Sequence, residues 1–305
     1  MPEGSLINTE ENRAYLSSAD MIAQAAVEGK ILEATVTMCD SDYNLHVDLG
    51  VMRGIIPRNE CAACTDGAVK TSAIISRVDR PVIFKISETE SLTQGKFAVL
   101  SRRRVQEECM DHYINALCPG DIISAKVTHL DDYGAFCDIG AGVSALMPID
   151  CISVSRIPHP SSVLRCGQFI KAAVKSRDAL GRITLTMKEL LGTWEENAAF
   201  FHVGDTVPGI VRSIEKYGIF VELTPNLAGL SEYVPGVEPG ARTAVFIKSI
   251  NPARMKIKLI ITEDTGDLPP MSGIRYFFSG KHMDRFDYAP SSCLKKITTV
   301  FDDNL

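Results

Sequence analysis

Three stretches of the chain repeat one pattern: Tyr43-Asn-Leu-His-Val-Asp-Leu-Gly50, Tyr133-Gly-Ala-Phe-Cys-Asp-Ile-Gly140 and Tyr217-Gly-Ile-Phe-Val-Glu-Leu223. Their tyrosines stand 90 (133 − 43) and 84 (217 − 133) residues apart. That period is too long for a solenoid unit and close to the size of a small domain. Gly29-Lys30, Gly120-Asp121 and Gly204-Asp205 keep the register, each 13 or 14 residues before the tyrosine. The chain therefore reads as three small domains in series.

After each glycine pair comes a strand-like run, Ile31 to Met38, Ile122 to Leu130 and Thr206 to Ile214, with downstream partners such as Arg182 to Met187 and Lys256 to Ile261. Short alternating strands divided by Gly, Pro and Asp predict an all-β barrel or sandwich. The expected boundaries are an N-terminal helical segment 1–28, repeat one 29–104, a linker 105–118, repeat two 119–190, a linker 191–202, repeat three 203–264 and a C-terminal extension 265–305.

Strand parity gives each repeated phrase two faces, because alternate side chains point to opposite sides. Ala135, Cys137 and Ile139 form the inward set of repeat two and Ile219, Val221 and Leu223 that of repeat three; Leu45, Val47 and Leu49 correspond in repeat one. Phe136 and Phe220 then lie outside, beside Asp138 and Glu222. An exposed ring on a short strand, next to a turn carrying Tyr133 or Tyr217, suits the stacking of single-stranded bases. Repeat one departs, with His46 in the phenylalanine position and Asn44 in place of glycine.

On these residues the chain resembles the S1-domain family, an OB-fold RNA-binding module, most closely in repeats two and three. The resemblance implies tandem five-stranded OB-fold barrels, joined by short helical linkers and binding single-stranded RNA around strands two and three. It carries Tyr133, Phe136, Tyr217 and Phe220 over as the aromatic pairs, and Asp178 with Arg182 as the acidic and basic pair before the last strand. Lys126, Arg182, Lys256 and Lys258 are the expected cationic contacts; Tyr43, His46 and Lys96 are lesser ones in repeat one. The histidine that some members place after the third strand is replaced here by Pro57, Pro148 and Glu232.

Charge limits the RNA reading. The chain has 32 Lys+Arg against 38 Asp+Glu, a net charge of −6, whereas nucleic-acid affinity rests on phosphate neutralisation. The acid lies outside the repeats: residues 1–28 hold one basic residue against five acidic ones, while 29–104 hold 11 against 9, 119–190 hold 8 against 7, and 203–264 hold 7 against 7. Modest, salt-sensitive affinity summed over linked sites is expected.

Helix formers run from Arg103 to Leu117 and stop at Pro119-Gly120. A second helix is expected over Met187 to Phe201, with a capping box in Thr193-Trp-Glu-Glu196 and an apolar stripe of Trp194, Ala198 and Phe201 that clamps repeat two to repeat three. Ala19 to Val27 reads as another helix. Beyond Asp267-Leu-Pro-Pro270, Ile274 to Phe278 and Asp284 to Tyr288 flank Ser279-Gly-Lys-His282 as a hairpin. Its aromatics pack on repeat three, or else form a second contact surface for RNA or the ribosome.

No apolar run reaches the roughly 18 residues of a membrane span, and the N-terminus lacks a basic and apolar leader. A cytoplasmic monomer with free thiols is expected. Cys61-Ala-Ala-Cys64 lacks the two further ligands of a tetrahedral zinc site, so no metal or cofactor is expected. P-loop, Gly-x-Gly-x-x-Gly, His-Glu-x-x-His and Gly-x-Ser-x-Gly motifs are missing, and Asp131-Asp132 suits a turn rather than catalysis. The expected function is binding of single-stranded RNA, mRNA above all, in translation, with the small ribosomal subunit as a further partner and no enzymatic activity. The alternative is a protein-docking scaffold, for which repeat one is the best candidate.

Overall fold

The computed structural model describes residues 1–63, 69–88, 97–262 and 273–302. Its strands close into three five-stranded barrels. Barrel 1 comprises β1 Leu32–Cys39, β2 Leu45–Asp48, β3 Arg53–Ile56, β4 Pro81–Glu88 and β5 Ala98–Ser101. Barrel 2 comprises β6 Ile122–Asp131, β7 Gly134–Asp138, β8 Ser144–Pro148, β9 Phe169–Arg177 and β10 Ile183–Thr186. Barrel 3 comprises β11 Thr206–Glu215, β12 Gly218–Thr224, β13 Leu227–Ser231, β14 Arg242–Asn251 and β15 Lys256–Thr262. In each, the third strand pairs parallel with the fifth, and the fourth lies between the fifth and the first. This is the OB-type Greek-key closure, which leaves no free sheet edge.

The inward parity of the repeated phrase holds in all three barrels. Leu45, Val47, Ala135, Cys137, Ile219 and Val221 are at most 1% exposed. Burying one such side chain contributes roughly 1.5–3 kcal/mol for the larger residues, so these short strands are held by their cores more than by propensity.

By compactness the chain forms two units, Met1–Leu117 with Ser124–Lys126 and Asp138–Ser144, and Cys118–Ile123 with Val127–Cys137 and Ala145–Leu305. In the first unit, Thr9 and Ser18 cap the helices Glu10–Tyr15 and Ala19–Glu28, and Gly29 ends the second at φ +63°. Ile22 and Ala25 of that second helix enter the barrel 1 core. The linker helix spans Arg103–His112, followed by a 3₁₀ turn at Ile114–Ala116.

In the second unit the linker is shorter than the sequence suggests. A 3₁₀ turn at Lys188–Leu191 is cut off by Gly192 at φ +85°, where a Cβ would lie 2.6 Å from the Phe277 ring. The helix proper is Trp194–Ala198, and Thr193 and Glu196 form the expected capping box. Trp194 is 3% exposed in one core with Ala173 and Leu190 on one side and Val211 and Leu227 on the other. Asn226 adds polar ties, its side-chain nitrogen donating to the Lys188 and Gly192 carbonyls at 2.7 and 3.0 Å.

The C-terminal hairpin is a correction. Arg285–Asp287 pairs with Thr298–Val300, not with Ile274–Phe278. The earlier backbone finds its partners elsewhere: Phe277 N–H donates to the Leu190 carbonyl at 2.9 Å, and Met283 N–H to the Gly120 carbonyl at 3.0 Å. A backbone group that must be satisfied takes the nearest rigid partner, here the framework of barrel 2. Asp267-Leu-Pro-Pro270 lies outside the described residues.

Candidate nucleic-acid interface

The first-to-second strand turns of barrels 2 and 3 build the same pair of rings. Tyr133 and Phe136 have centroids 5.9 Å apart at 89°, and Tyr217 and Phe220 6.1 Å apart at 89°. The tyrosines are 54% and 69% exposed and the phenylalanines half-buried, so each pair offers ring faces to solvent on a rigid strand. Gly134 and Gly218 make this possible: a Cβ at either would press into the carbonyl oxygen of Met147 or Ser231 on the next strand. Desolvation and the neighbouring Asp131 push the Tyr133 phenol up.

Repeat one is built differently. Tyr43 occupies the left-handed region at φ +63°, and its ring packs on the barrel 1 core with the Arg58 guanidinium 5.1 Å from its centroid. Asp40 rebuilds the turn, accepting from Asp42 N–H and Asn44 N–H at 2.9 Å each and lying 3.1 Å from His46 Nε2. These bonds hold the Asp40 carboxyl at about 2. His46 is thus committed to the turn, and no aromatic pair exists there.

Strand register sets what neighbours each ring. In barrel 3, Phe220 faces Leu230 on β13, which faces Lys258 on β15, which faces Ser249 on β14. In barrel 2, Leu146 faces Thr184 and Thr184 faces Ser176. In barrel 1, His46 faces Ile55 and Ile55 faces Val99. At one equivalent position the series reads Val99, Thr184, Lys258, so only barrel 3 sets a cation beside its platform in this row. Lys256 is likewise exposed on β15.

Four polar residues have surroundings that parity and motif do not reveal. Asp138 and Glu222 are not solvent neighbours of the rings but 3% and 2% exposed. Asp138 accepts from Glu3, Gly140 and Gly142 N–H at 2.7, 2.8 and 3.0 Å, and burial, with Glu3 nearby, pushes its carboxyl up. Glu222 takes a two-pronged bond from Arg212 at 2.7 and 2.8 Å, while burial pushes its carboxyl up against that pairing. Asp178 organises the β9–β10 turn, accepting from Leu180 and Arg182 N–H at 3.0 and 2.8 Å and from Arg182 Nε at 2.6 Å. The Arg182 bond holds its carboxyl low, and Arg182, 76% exposed, is the member of that pair with a surface to offer. Lys126 is half-buried with Nζ donating to the Glu3 carbonyl at 2.8 Å. Lys96 lies outside the described residues.

His129 was not legible in the sequence. Its ring stacks on Phe136 at 6.2 Å and 27°, with 64% of the side chain exposed. Alternation from Val127 points His129 into the barrel. At the equivalent places the ladder skips a residue, between Val36 and Met38 and between Val211 and Ser213, and such a bulge turns the next side chain outward.

Among the described residues, no cluster of three or more His, Cys, Asp or Glu gathers as metal ligands, and no helix is long and apolar enough to cross a membrane. Cys61 is 3% exposed, its thiol pushed up to about 12 by burial, and Cys64 lies outside the described residues.

Residues 118–188, the whole of barrel 2, match the S1 RNA binding domain. Small ribosomal subunit protein bS1 of Staphylococcus aureus (strain COL) is 31% identical over 272 residues, 84% of this chain and 66% of that protein. The chain thus spans about two thirds of that relative's length. A bS1 homolog of Bacillus cereus is 32% identical over 291 residues, 86% of this chain and 72% of the relative. A solved multidomain protein with nucleic acid binding domains from Streptococcus pneumoniae overlaps 79% of this chain and 75% of its own, at 12% identity and a TM-score of 0.26, too distant to argue from. The barrels, the thrice-repeated phrase and the extent of these matches agree: the chain belongs to the small ribosomal subunit protein bS1 family.

Proposed function

We propose that the chain binds single-stranded RNA, mRNA in particular, in the service of translation at the small ribosomal subunit. The observation that carries this is the same edge-to-face tyrosine–phenylalanine pair in two barrels, held on strands whose inner faces are fully buried. Bases stack on Tyr133 and Phe136 and on Tyr217 and Phe220, while Arg182, Lys256 and Lys258 meet phosphates. Two linked sites raise the effective local concentration of the strand, offsetting a net charge of −6. RNA binding and the ribosomal role are also supported by what the family's domain description and the relatives' names state of those proteins.

Barrel 1 supports a second reading for itself. With His46 tied to Asp40 and Tyr43 folded onto the core, it serves as a docking module rather than a third RNA site.

The test is a titration of labelled single-stranded RNA at two salt concentrations, with wild type and with the Phe136→Ala, Phe220→Ala double variant, and RNA integrity checked afterwards. Each ring engaged contributes about 1–3 kcal/mol, so the double variant should bind at least tenfold more weakly with the RNA intact. Equal binding by both proteins would remove the stacking mechanism; no binding by either would leave the docking reading.

A further inference from the structure

A second aromatic site lies at the far end of β12. Phe200 and Phe201, after the linker helix, line a cavity of about 250 Å³ with Leu223, Thr224, Arg275 and Phe277. Phe200 is 49% exposed. The Arg275 guanidinium carbon stands 4.1 Å from the Phe200 centroid and 5.4 Å from that of Phe277, and the two rings are 6.1 Å apart at 57°. Among the described residues no carboxylate pairs with Arg275, which packs on these two rings.

The geometry points to a nucleotide-binding subsite that extends the barrel 3 RNA track: a base against Phe200 and Phe277, with a phosphate on Arg275. It rests on the RNA-binding reading proposed above. Three features carry it. An exposed guanidinium already stacked on rings, with no acidic partner among the described residues, keeps its in-plane N–H donors available for a phosphate, the geometry in which arginine binds that group best. Asn197, which also lines the cavity, has its polar atoms engaged: its side chain donates to the Leu191 and Thr193 carbonyls at 2.8 and 2.9 Å and accepts from the Thr224 hydroxyl at 2.8 Å. Such a site stacks a base without reading its identity.

The third feature is position. Thr224 follows Phe220 by four residues on β12, about 13 Å along the strand at roughly 3.3 Å per residue. Between them Glu222, 2% exposed, is paired with Arg212, whose guanidinium also donates to the Ser162 carbonyl at 3.4 Å, so a strand linking the two sites passes over a covered ion pair rather than a bare carboxylate. OB folds cover about 4–16 nucleotides, more than one pair of rings accommodates. The Phe200 site supplies the next platform.

Uridine oligomers of four and ten nucleotides, titrated by fluorescence anisotropy against the full chain, test this with Phe200→Ala, Arg275→Ala and Phe220→Ala variants. The ten-mer should lose roughly tenfold in affinity in Phe200→Ala, and in Arg275→Ala its log-affinity against log-salt slope should shrink by about 0.7. The four-mer should be unchanged by both. Phe200→Tyr, which keeps the ring, should restore ten-mer binding. Ten-mer binding that is insensitive to both Phe200→Ala and Arg275→Ala while Phe220→Ala weakens it would overturn the subsite and leave the barrel 3 platform standing. Insensitivity to all three variants would overturn both. Equal losses on the two oligomer lengths would also overturn the extension, placing Phe200 within the primary site.

Discussion

Glu3 and Arg102 are joined through two hydrogen bonds, Arg102 Nε to Glu3 Oε1 at 2.6 Å and a terminal guanidinium nitrogen to Oε2 at 3.1 Å, with side chains only 6% and 3% exposed. Arg77 adds a third donor to Glu3 at 3.2 Å, and Arg102 also donates to the Cys61 carbonyl at 2.9 Å. Burial works against the Arg102 charge, but the Glu3 carboxylate outweighs it and raises the guanidinium further. Ninety-nine residues of sequence separate the partners, so the pair fastens the N-terminal segment to the end of barrel 1.

Removing one partner of this pair leaves an uncompensated buried charge, at a cost of about 3–5 kcal/mol. Glu3→Ala should therefore lower hydrogen-exchange protection in β1 and β4 by that amount. A local measure is needed because a chain of several barrels need not unfold in one step. Protection equal to wild type would show the pair to be dispensable.

The Arg212–Glu222 pair predicts a different pattern. Arg212→Ala alone should destabilise barrel 3 by about 3–5 kcal/mol, while Arg212→Met with Glu222→Leu should recover most of the loss, because an apolar pair avoids the desolvation of both charges. Hydrogen exchange of β12 amides reads both variants. A double variant as unstable as the single one would argue that the charges themselves are required.

His282 gives the extension a pH dependence. Its Nδ1 lies 2.7 Å from Asp121 and its Nε2 3.4 Å from Asp284, and the Asp121 hydrogen bond raises the imidazole above its ordinary value. A raised folded value means that the contribution is complete below about pH 6.5 and lost as pH rises through the folded value. The proteolytic resistance of residues 277–288 in wild type should exceed that of His282→Asn at acid pH, and the two should converge at alkaline pH. A difference that is constant across pH would exclude this origin.

Phosphate contacts can be counted by salt. For a single strand, each contact contributes about 0.7 to the slope of log-affinity against log-salt. Lys256→Ala and Lys258→Ala should each reduce the slope by about that amount, whereas Lys126→Ala, whose ammonium is engaged by the Glu3 carbonyl, should leave it unchanged. RNA titrations at four salt concentrations separate these outcomes. A loss for Lys126 equal to that for Lys258 would relocate the binding face.

The two-residue alternation made Ala135, Cys137, Ile219 and Val221 readable as core and Phe136 and Phe220 as outer residues, because facing in a strand depends on local geometry alone. The same alternation failed for His129, at the position where the equivalent strands of the other two barrels skip a residue. It also failed to give the surroundings of Asp138 and Glu222, which point out of their barrels yet are covered by distant segments. Asp178 matched a family motif, but its oxygens are consumed by a turn whose hydrogen bonds no spacing reveals.

The sequence by itself determined the repeat, the barrel class and the two aromatic pairs, since repetition and parity are properties of the chain read in order. Only the tertiary structure decided which polar groups are available: Tyr43 and His46 are withdrawn into a rebuilt turn, Glu222 is neutralised by Arg212, and Arg275 is brought to Phe200 across 75 residues. Availability depends on what remote segments cover, and burial and pairing between distant residues leave no periodic trace in the sequence.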